Sequence, residues 1–304
     1  MMPADSLNLE WELVNQPQSP CRLLALSEDA LAWSDAKGVY RMGLPRAGIE
    51  RLGTVRARHL TLDHDRVAWV EAGTNAIVLH ADGQSHILAT DHLPWNVLLA
   101  GEEIIWANVR LIDTMVVNDQ GAIRRIRPGG AVETLAEGLC MPDYLNLGAQ
   151  ADLWFSAGRR IMRLDRRTHV CQQVFTQAED LNGLVLLGDR LFWNDGGMDD
   201  ALLWAPLPGP GEAIVDPQCF SACPEAIVEL AAAPAGLVWI ESPGYDEPCT
   251  LQGQSLAATR AWELPLPHGH DPRSVCCNRV WIACACQEGS IYLARLPDWL
   301  AKND

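Results

Sequence analysis

The sequence predicts an all-β fold, a β-propeller of seven four-stranded blades, and three observations carry this prediction. Seven tryptophans recur at a mean spacing of about 41 residues: Trp33, Trp69, Trp106, Trp154, Trp193, Trp239 and Trp281. Each lies in the same pattern of short apolar runs separated by turns that contain Gly or Asp. No segment carries the apolar stripe of an amphipathic helix over three turns. Repeats of about 40 residues with four short strands are typical of propellers.

Each repeat contains the same elements in the same order. A first apolar run is followed by a polar turn such as residues 27–29 or 188–189, and a second apolar run ends in the tryptophan. A loop of small and acidic residues leads to a third run such as 77–79, and many copies add a fourth, for example "SHILAT". Short runs joined by such turns indicate antiparallel hairpins. We expect the tryptophan of each second strand to pack between neighbouring blades.

The two ends of the chain predict how the ring closes. The last repeat runs out after residues 293–297, which leaves little room for an outer strand, and the first repeat begins near Arg22, which leaves residues 7–15 unused. We therefore predict that the N-terminal segment supplies the outer strand of the last blade, so that no sheet edge is left open. Residues 1–304 would then form one propeller domain. A ring of six blades with one irregular repeat is the alternative.

Composition and charge exclude several classes of partner and compartment. The chain has 304 residues, 48% hydrophobic, and a formal net charge of −16, which disfavours general nucleic-acid binding and attraction to anionic membranes. The N-terminal stretch "MMPADSLNLEWELV" lacks the features of a signal peptide, and no apolar run is long enough to span a bilayer. We expect a cytoplasmic protein.

The ten cysteines are irregularly spaced, and reduced thiols in the core are the first expectation. The densest group is Cys276, Cys277, Cys284 and Cys286 in "VCCNRVWIACAC". Zinc ligation by these thiols is the alternative, although the spacing lacks a C-x-x-C pair.

The recurring pattern of an apolar strand, D-R-L-x-W, a short acidic loop and a further strand resembles the YWTD, NHL and TolB-like propeller groups. The stretch "LGDRLFWNDGG" shows it most clearly, and the resemblance covers nearly the whole chain. It implies the propeller architecture and leaves the function open.

The blades are also similar to those of calcium-dependent gluconolactonase-type enzymes. That resemblance implies a metal at the central channel, held by a Glu of the first blade together with Asn and Asp of later blades. Here the first-blade position falls on Arg22 or Leu23, neither of which can ligate a hard cation. The remaining oxygen-bearing candidates for calcium or another divalent ion are Asn96, Asp143, Asn182 and Asp195. We expect no cofactor, and a metal-dependent hydrolase or lactonase is the alternative.

A propeller usually binds its ligands where the loops after the second strands and the segments leading into the inner strands share one face, here called the loop face. The residues predicted to bind a partner on this face are Arg22, His59, Trp95, Asn96, Asp143, Tyr144, Asn182, Asp195, Asp199, Asp200, Glu229, Asp246, Glu247 and Arg273. This mixture of acids, aromatic residues and arginines suits protein recognition. For each residue taken singly, a solvated loop position is the alternative.

Positive charge is concentrated in one part of this acidic chain. Residues 121–170 contain eight arginines and five acids, a net charge of +3. Two interpretations are open: a solvated edge that discourages strand pairing, or a site for an acidic partner or a phosphate.

No sequence motif for nucleophilic catalysis or nucleotide binding is present. The first functional hypothesis is therefore a non-enzymatic propeller that binds a protein partner through its loop face. The net charge of −16 favours a basic partner. An inhibitor or immunity protein is one concrete version of this hypothesis.

Overall fold

The computed structural model describes residues 9–15, 20–21, 23–112, 115–196, 201–223, 225–244, 247–267 and 270–301, with the backbone alone at 111, 112, 115 and 116. Seven antiparallel sheets of four strands each follow one another along the chain, together with one small two-stranded sheet. The predicted seven-bladed β-propeller is confirmed. In the described part of the chain, no helix has the length and apolar character needed to cross a membrane.

The strands follow the order predicted from the repeats. The chain begins with β1 (Glu12–Asn15), which belongs to the last blade. Blade 1 contains β2 (Leu23–Leu26), β3 (Ala30–Asp35), β4 (Gly38–Gly43) and β5 (Ile49–Gly53). Blade 2 contains β6 (Ala57–Asp63), β7 (Arg66–Glu71), β8 (Ala76–Ala81) and β9 (Gln84–Thr90). Blade 3 contains β10 (Pro94–Ala100), β11 (Glu103–Asn108), β14 (Gly121–Ile126) and β15 (Glu133–Leu139), with the hairpin β12 (Leu111–Ile112) and β13 (Met115–Val116) inserted between its second and third strands.

The second half of the ring repeats the arrangement. Blade 4 contains β16 (Pro142–Leu147), β17 (Leu153–Ala157), β18 (Arg160–Leu164) and β19 (Cys171–Thr176). Blade 5 contains β20 (Leu184–Leu187), β21 (Arg190–Asn194), β22 (Ala201–Pro206) and β23 (Gln218–Ala222). Blade 6 contains β24 (Ala226–Ala233), β25 (Gly236–Ser242), β26 (Thr250–Ser255) and β27 (Trp262–Glu263). Blade 7 contains β28 (Pro272–Cys277), β29 (Trp281–Cys286) and β30 (Ile291–Arg295), followed by the helix α1 (Asp298–Ala301).

The ring closes as the sequence predicted. Strand β1 pairs antiparallel with β30, with Glu12 opposite Leu293 and Leu13 opposite Tyr292, and so becomes the fourth strand of blade 7. This blade is thus built from both ends of the chain. Its outer strand covers an edge that would otherwise offer unpaired backbone groups to another chain.

The repeated tryptophans fill the spaces between blades. Trp33 of blade 1 packs with Ala283 and Ile291 of blade 7. Trp106 of blade 3 packs with Ile77 of blade 2. Six of the seven are no more than 2% exposed, Trp281 being the exception. Because the second strand lies in the middle of each sheet, a large side chain there reaches the sheet next to it. This position explains the repeat that predicted the fold.

Gly196 occupies a left-handed turn that leaves no room for a side chain. Its φ angle is +66°, and a Cβ atom there would overlap the carbonyl oxygen of Asp180. Gly188 offers a matched control, because its φ angle is +62° and a Cβ atom there would meet nothing within 4 Å.

We expect Gly188→Ala to lower the free energy of unfolding by about 1 kcal/mol, the cost of the left-handed backbone alone. Gly196→Ala should lower it by about 2–4 kcal/mol, since overpacking adds to that cost. Urea denaturation followed by tryptophan fluorescence measures both. Equal losses in the two variants would show that the backbone near Asp180 moves away to accommodate the methyl group.

Candidate functional site

Among the residues that the structure describes, the start of the inner strand is irregular in five of the seven blades. Pairing with the second strand shifts register between Ala57 and His59, between Pro94 and Asn96, between Asp143 and Asn146, between Ile227 and Glu229, and between Pro272 and Ser274. Such bulges re-aim side chains, and they are frequent next to functional sites. They lie at the loop-face mouth of the central channel and occur where the sequence predicted binding residues.

The carboxylate of Asp143 accepts three hydrogen bonds from neighbouring residues. Its Oδ1 accepts hydrogen bonds from Asn96 Nδ2 at 2.8 Å and from the Tyr144 backbone N–H at 2.8 Å. Its Oδ2 accepts from Trp95 Nε1 at 3.0 Å. The structure therefore brings together four of the predicted residues, across the boundary between blades 3 and 4. All three donors are neutral, and Asp143 forms no ion pair with any residue in the described ranges.

Hydrogen bonds of His59 and Arg58 link blade 2 to blade 3. His59 Nδ1 accepts the backbone N–H of Val97 at 3.2 Å, so the proton of the neutral ring resides on Nε2. Burial lowers the pKa of His59, and the nearby Asp143 opposes this in part. Arg58 Nη1 donates to the carbonyl of Pro94 at 3.0 Å. A neutral imidazole thus faces the region that Asp143 occupies.

Glu229 carries the most perturbed carboxyl group of the channel. Burial among the channel walls raises its pKa to about 8, although hydrogen bonds from Ser274 and from the Val275 backbone act in the opposite direction. Ser274 Oγ donates to its Oε1 at 3.1 Å and links blade 6 to blade 7. The residue as a whole keeps some exposed surface, whereas its carboxyl group is crowded by protein atoms. Glu229 is therefore mainly protonated at neutral pH.

A depression on the loop face lies between blades 3 and 5 and has a volume of about 680 Å³. Trp95 and Met141 line it, each 42% exposed, together with Asp143, Tyr144 and Asn182. Met141 has a φ angle of +43° and Tyr144 one of +50°, values that bulky residues rarely adopt. Strain of this kind is concentrated at binding and catalytic sites. Sequence reasoning missed Met141, which lines the depression, and Ser274, which donates to Glu229, since neither stands out in the repeat pattern.

The other predicted residues are more scattered. Asn182 precedes β20, is exposed, and donates its backbone N–H to Asn194 Oδ1 at 2.8 Å. Asp195 Oδ1 accepts the Ala201 N–H at 3.1 Å and helps to close its own loop. Arg273 is paired with Asp271, and Glu247 is exposed. Arg22, Asp199, Asp200 and Asp246 lie outside the described residues.

The structure brings three of the four metal candidates close together and leaves Asp195 apart. Asn96 is hydrogen-bonded to Asp143, and Asn182 lines the same depression as Asp143, whereas Asp195 holds its own turn. Three N–H groups already use most of the acceptor capacity of the Asp143 carboxylate, so a cation there would compete with them. Over the described ranges, no three His, Cys, Asp or Glu residues are placed to hold a metal ion. Calcium binding stays a prediction.

The cysteines are free thiols, and all ten lie in the described part of the chain. Cys284 and Cys286 are buried in β29. Burial raises the pKa of Cys276 and of Cys277, so both remain neutral. These four thiols lie in blade 7, two of them buried and two half-buried, and zinc ligation stays the alternative.

Comparisons with known proteins agree on the fold. No protein-family model and no curated protein matches the sequence. A solved structure of virginiamycin B lyase from Staphylococcus aureus is similar over 95% of this chain and 99% of the lyase, with a TM-score of 0.72 and 14% identity. A chain of the Mitotic Checkpoint Complex is similar over 98% of this chain and 97% of its own length, with a TM-score of 0.72 and 12% identity. A chain of a Nidogen/Laminin complex is similar over 64% of this chain and 79% of its own, with a TM-score of 0.52 and 16% identity. At these identities the likeness shows the fold alone, shared by a lyase and by components of protein complexes.

Proposed function

We propose that this propeller binds a basic protein partner through its loop face, without catalysing a reaction, with the depression around Trp95 and Met141 at the centre of the contact. The observation that carries the proposal is the exposure of these two side chains, 42% each, beside the rigidly held Asp143. Chains of similar fold in the Mitotic Checkpoint Complex and in the Nidogen/Laminin complex support a role in protein assembly.

The depression has the composition of a binding hot spot. Protein interfaces have an apolar centre, enriched in Trp, Tyr and Met, inside a polar rim. Trp95 is fixed in place by its hydrogen bond to Asp143, so little side-chain entropy is lost when a partner covers it. The rim carries Arg160, which pairs with Asp119 at 3.4 Å, and Arg159, which lies 3.8 Å from Asp180.

The distribution of charge favours a basic partner. The rim arginines are each matched by an acid, whereas Asp143 at the centre has only neutral donors. The chain as a whole has a net charge of −16, which would attract a basic protein over a distance. Inhibition of a cationic enzyme or toxin, as by an immunity protein, is one form that such binding would take.

Affinity capture with matched variants tests this proposal. We expect a protein captured from the native organism by the wild type to be captured equally by Ile87→Ala, a change at an apolar residue of the outer strand β9 that is 66% exposed. Trp95→Ala should weaken capture by about 2 kcal/mol or more, as hot-spot truncation does. Met141→Asn should weaken capture as well, because the substitution removes an apolar contact. Asn is chosen since it tolerates the positive φ angle at this position.

The affinity of the captured partner should also fall as salt rises, because screening weakens attraction between opposite charges. Surface plasmon resonance of the purified pair at several ionic strengths measures this. Binding that Trp95→Ala and Met141→Asn leave intact would contradict the loop-face site. Binding that does not respond to salt would contradict the electrostatic part of the proposal.

A second candidate function is chemistry on a small molecule in the channel, as in a metal-dependent hydrolase or lactonase. The observation that favours it is the convergence of Asp143, neutral His59 and protonated Glu229 on one channel. Metal analysis of protein purified without chelator, together with thermal melting with and without calcium, distinguishes the two candidates. A bound divalent ion that Asp143→Asn removes would favour the enzyme. Melting that calcium does not change, in protein free of metal, would argue against it.

A further inference from the structure

A groove on the opposite face, here called the arginine groove, lies between blades 3 and 4. Its volume is about 690 Å³, and its charged lining consists of Arg125, Arg127, Arg163, Arg166, Arg167, Glu103, Asp152 and Asp165. The turns that form it join first to second and third to fourth strands, so it lies on the side of the ring away from Trp95. Five arginines in one groove are unexpected in a chain with a net charge of −16.

Glu103 organises the groove. Its carboxylate meets Arg125 Nη1 at 3.4 Å, Arg127 Nη2 at 2.6 Å and Arg166 Nη1 at 3.1 Å, and its side chain is only 14% exposed. Arg166 is held further by the carbonyl of Ala151, to which its Nε donates at 2.6 Å. Three guanidinium groups from two blades are thus fixed around one point. A ligand that binds them need not order flexible side chains.

The acids present do not neutralise the groove completely. Arg163 is matched by Asp152, and Arg125 also pairs with Glu133 at 2.8 Å. The charged groups still to be counted are three arginines (Arg127, Arg166 and Arg167) and two acids (Glu103 and Asp165). Their charges sum to one positive charge. Asp165 Oδ1 is occupied by the backbone N–H groups of Arg167 and Thr168 at 2.8 and 3.1 Å.

Hydrogen-bond donors remain as well as charge. A guanidinium has five N–H groups, and the contacts with Glu103 use only some of those on Arg127 and Arg166. The Arg167 side chain is exposed and forms no ion pair within the part of the chain that the structure describes. An oxyanion with several acceptor atoms would satisfy these donors together.

We propose that the arginine groove binds a phosphate group. One carboxylate presents two oxygens and suits one guanidinium, whereas a phosphate group presents three acceptor oxygens and between one and two negative charges, which suits several guanidiniums at once. Planar, fully charged arginine is the side chain best suited to such contacts. Because the groove faces away from the loop face, a phosphate ligand and the partner at Trp95 could bind at the same time.

Isothermal titration calorimetry of the full chain at low ionic strength tests the proposal. The probes are inorganic phosphate, with chloride at equal ionic strength as reference, and a phosphoserine peptide beside its unphosphorylated twin. We expect Arg167→Gln to weaken phosphate binding about tenfold, the loss of one charge-assisted hydrogen bond. Arg279→Gln should leave binding unchanged, since Arg279 is 81% exposed and lies 3.6 Å from Glu28, away from the groove.

The two probes separate the sources of the phosphate. Binding of inorganic phosphate supports a free phosphate or a small phosphorylated molecule. Binding of the phosphopeptide alone, above its twin, supports a phosphorylated protein. The proposal is overturned if neither probe binds, if Arg167→Gln binds as the wild type does, or if Arg279→Gln loses as much affinity as Arg167→Gln. Because Arg167 is exposed, its variant is expected to fold, and the melting temperature of each variant verifies this.

Discussion

Replacement of Asp91 by Ala is expected to lower the free energy of unfolding by about 3–5 kcal/mol, the cost of breaking a buried ion pair by removing one partner. The Asp91 side chain is 3% exposed and lies in the connection between blades 2 and 3. Its Oδ2 accepts the indole N–H of Trp106 at 3.0 Å. Arg124 Nη1 lies 2.8 Å from each of its oxygens.

The expected loss is large because three groups depend on this one carboxylate. Its removal leaves the buried indole N–H of Trp106 without an acceptor and Arg124 without a counterion. The backbone N–H of His92, which donates to Asp91 Oδ1 at 2.8 Å, loses its partner too. An unsatisfied buried donor costs about 1–3 kcal/mol by itself. Since Trp106 fills the space between blades 2 and 3, the contact between these blades is the part of the ring expected to weaken.

Urea unfolding followed by tryptophan fluorescence measures the loss, with Asp189→Ala as control. The Asp189 side chain is 94% exposed and lies 3.9 Å from Arg190, so its removal should change stability by less than about 0.5 kcal/mol. Adding Arg124→Met to Asp91→Ala should recover part of the loss, because no charge is then left unpaired. Equal stability of the Asp91 and Asp189 variants would refute the assignment of Asp91 as a buried anchor.

The blades were predictable because their signal is local. One Trp per repeat, placed in the central second strand, can be recognised without knowing what it touches. The unequal spacings also have local causes. Trp106 and Trp154 are 48 residues apart since the β12–β13 hairpin is inserted between them. The closing strand was predictable as well. The last repeat lacked a fourth apolar run, and residues 7–15 belonged to no repeat.

The site was only partly predictable because its geometry depends on irregular pairing. The period of a strand places Trp95 and Asn96 on opposite faces, but it does not show that a bulge leaves Trp95 42% exposed and Asn96 7% exposed. Asp195 is a metal candidate from the sequence, and only the structure shows that its carboxylate accepts the Ala201 N–H. The arginine cluster had two interpretations since its counterion, Glu103, lies 63 residues from Arg166. Contacts at such separations leave no pattern in one sequence.

Replacement of Glu229 by Gln is expected to make the protein less sensitive to alkaline pH. The ordinary pKa of the glutamate is 4.5, and burial in the channel raises it to about 8 in the folded protein. The folded state therefore holds a proton that the unfolded state releases between these values. The stability of the wild type should fall as pH rises from about 4.5 and should level off above about 8.

The Glu229→Gln variant has no charge to bury at this position, so the loss should be absent from it. The new amide oxygen can still accept the hydrogen bond that Ser274 Oγ donates to Glu229 at 3.1 Å. At pH 5 the two proteins should differ little, and at pH 9 the variant should be the more stable by at most about 5 kcal/mol. Burial lowers the pKa of His59, which makes both proteins lose stability below pH about 6.5, and this contribution cancels from the difference.

Urea unfolding at pH 5, 7 and 9 measures the difference, with Glu247→Gln as control. Glu247 is exposed on the loop face, so its variant should follow the wild type at each pH. A difference between Glu229→Gln and the wild type that stays constant from pH 5 to pH 9 would mean that Glu229 is ionised throughout this range. The channel would then hold a negative charge near Asp143 at neutral pH, which would strengthen attraction for a cation at the loop face. A difference that grows with pH instead means that Glu229 stays protonated in the folded protein at neutral pH.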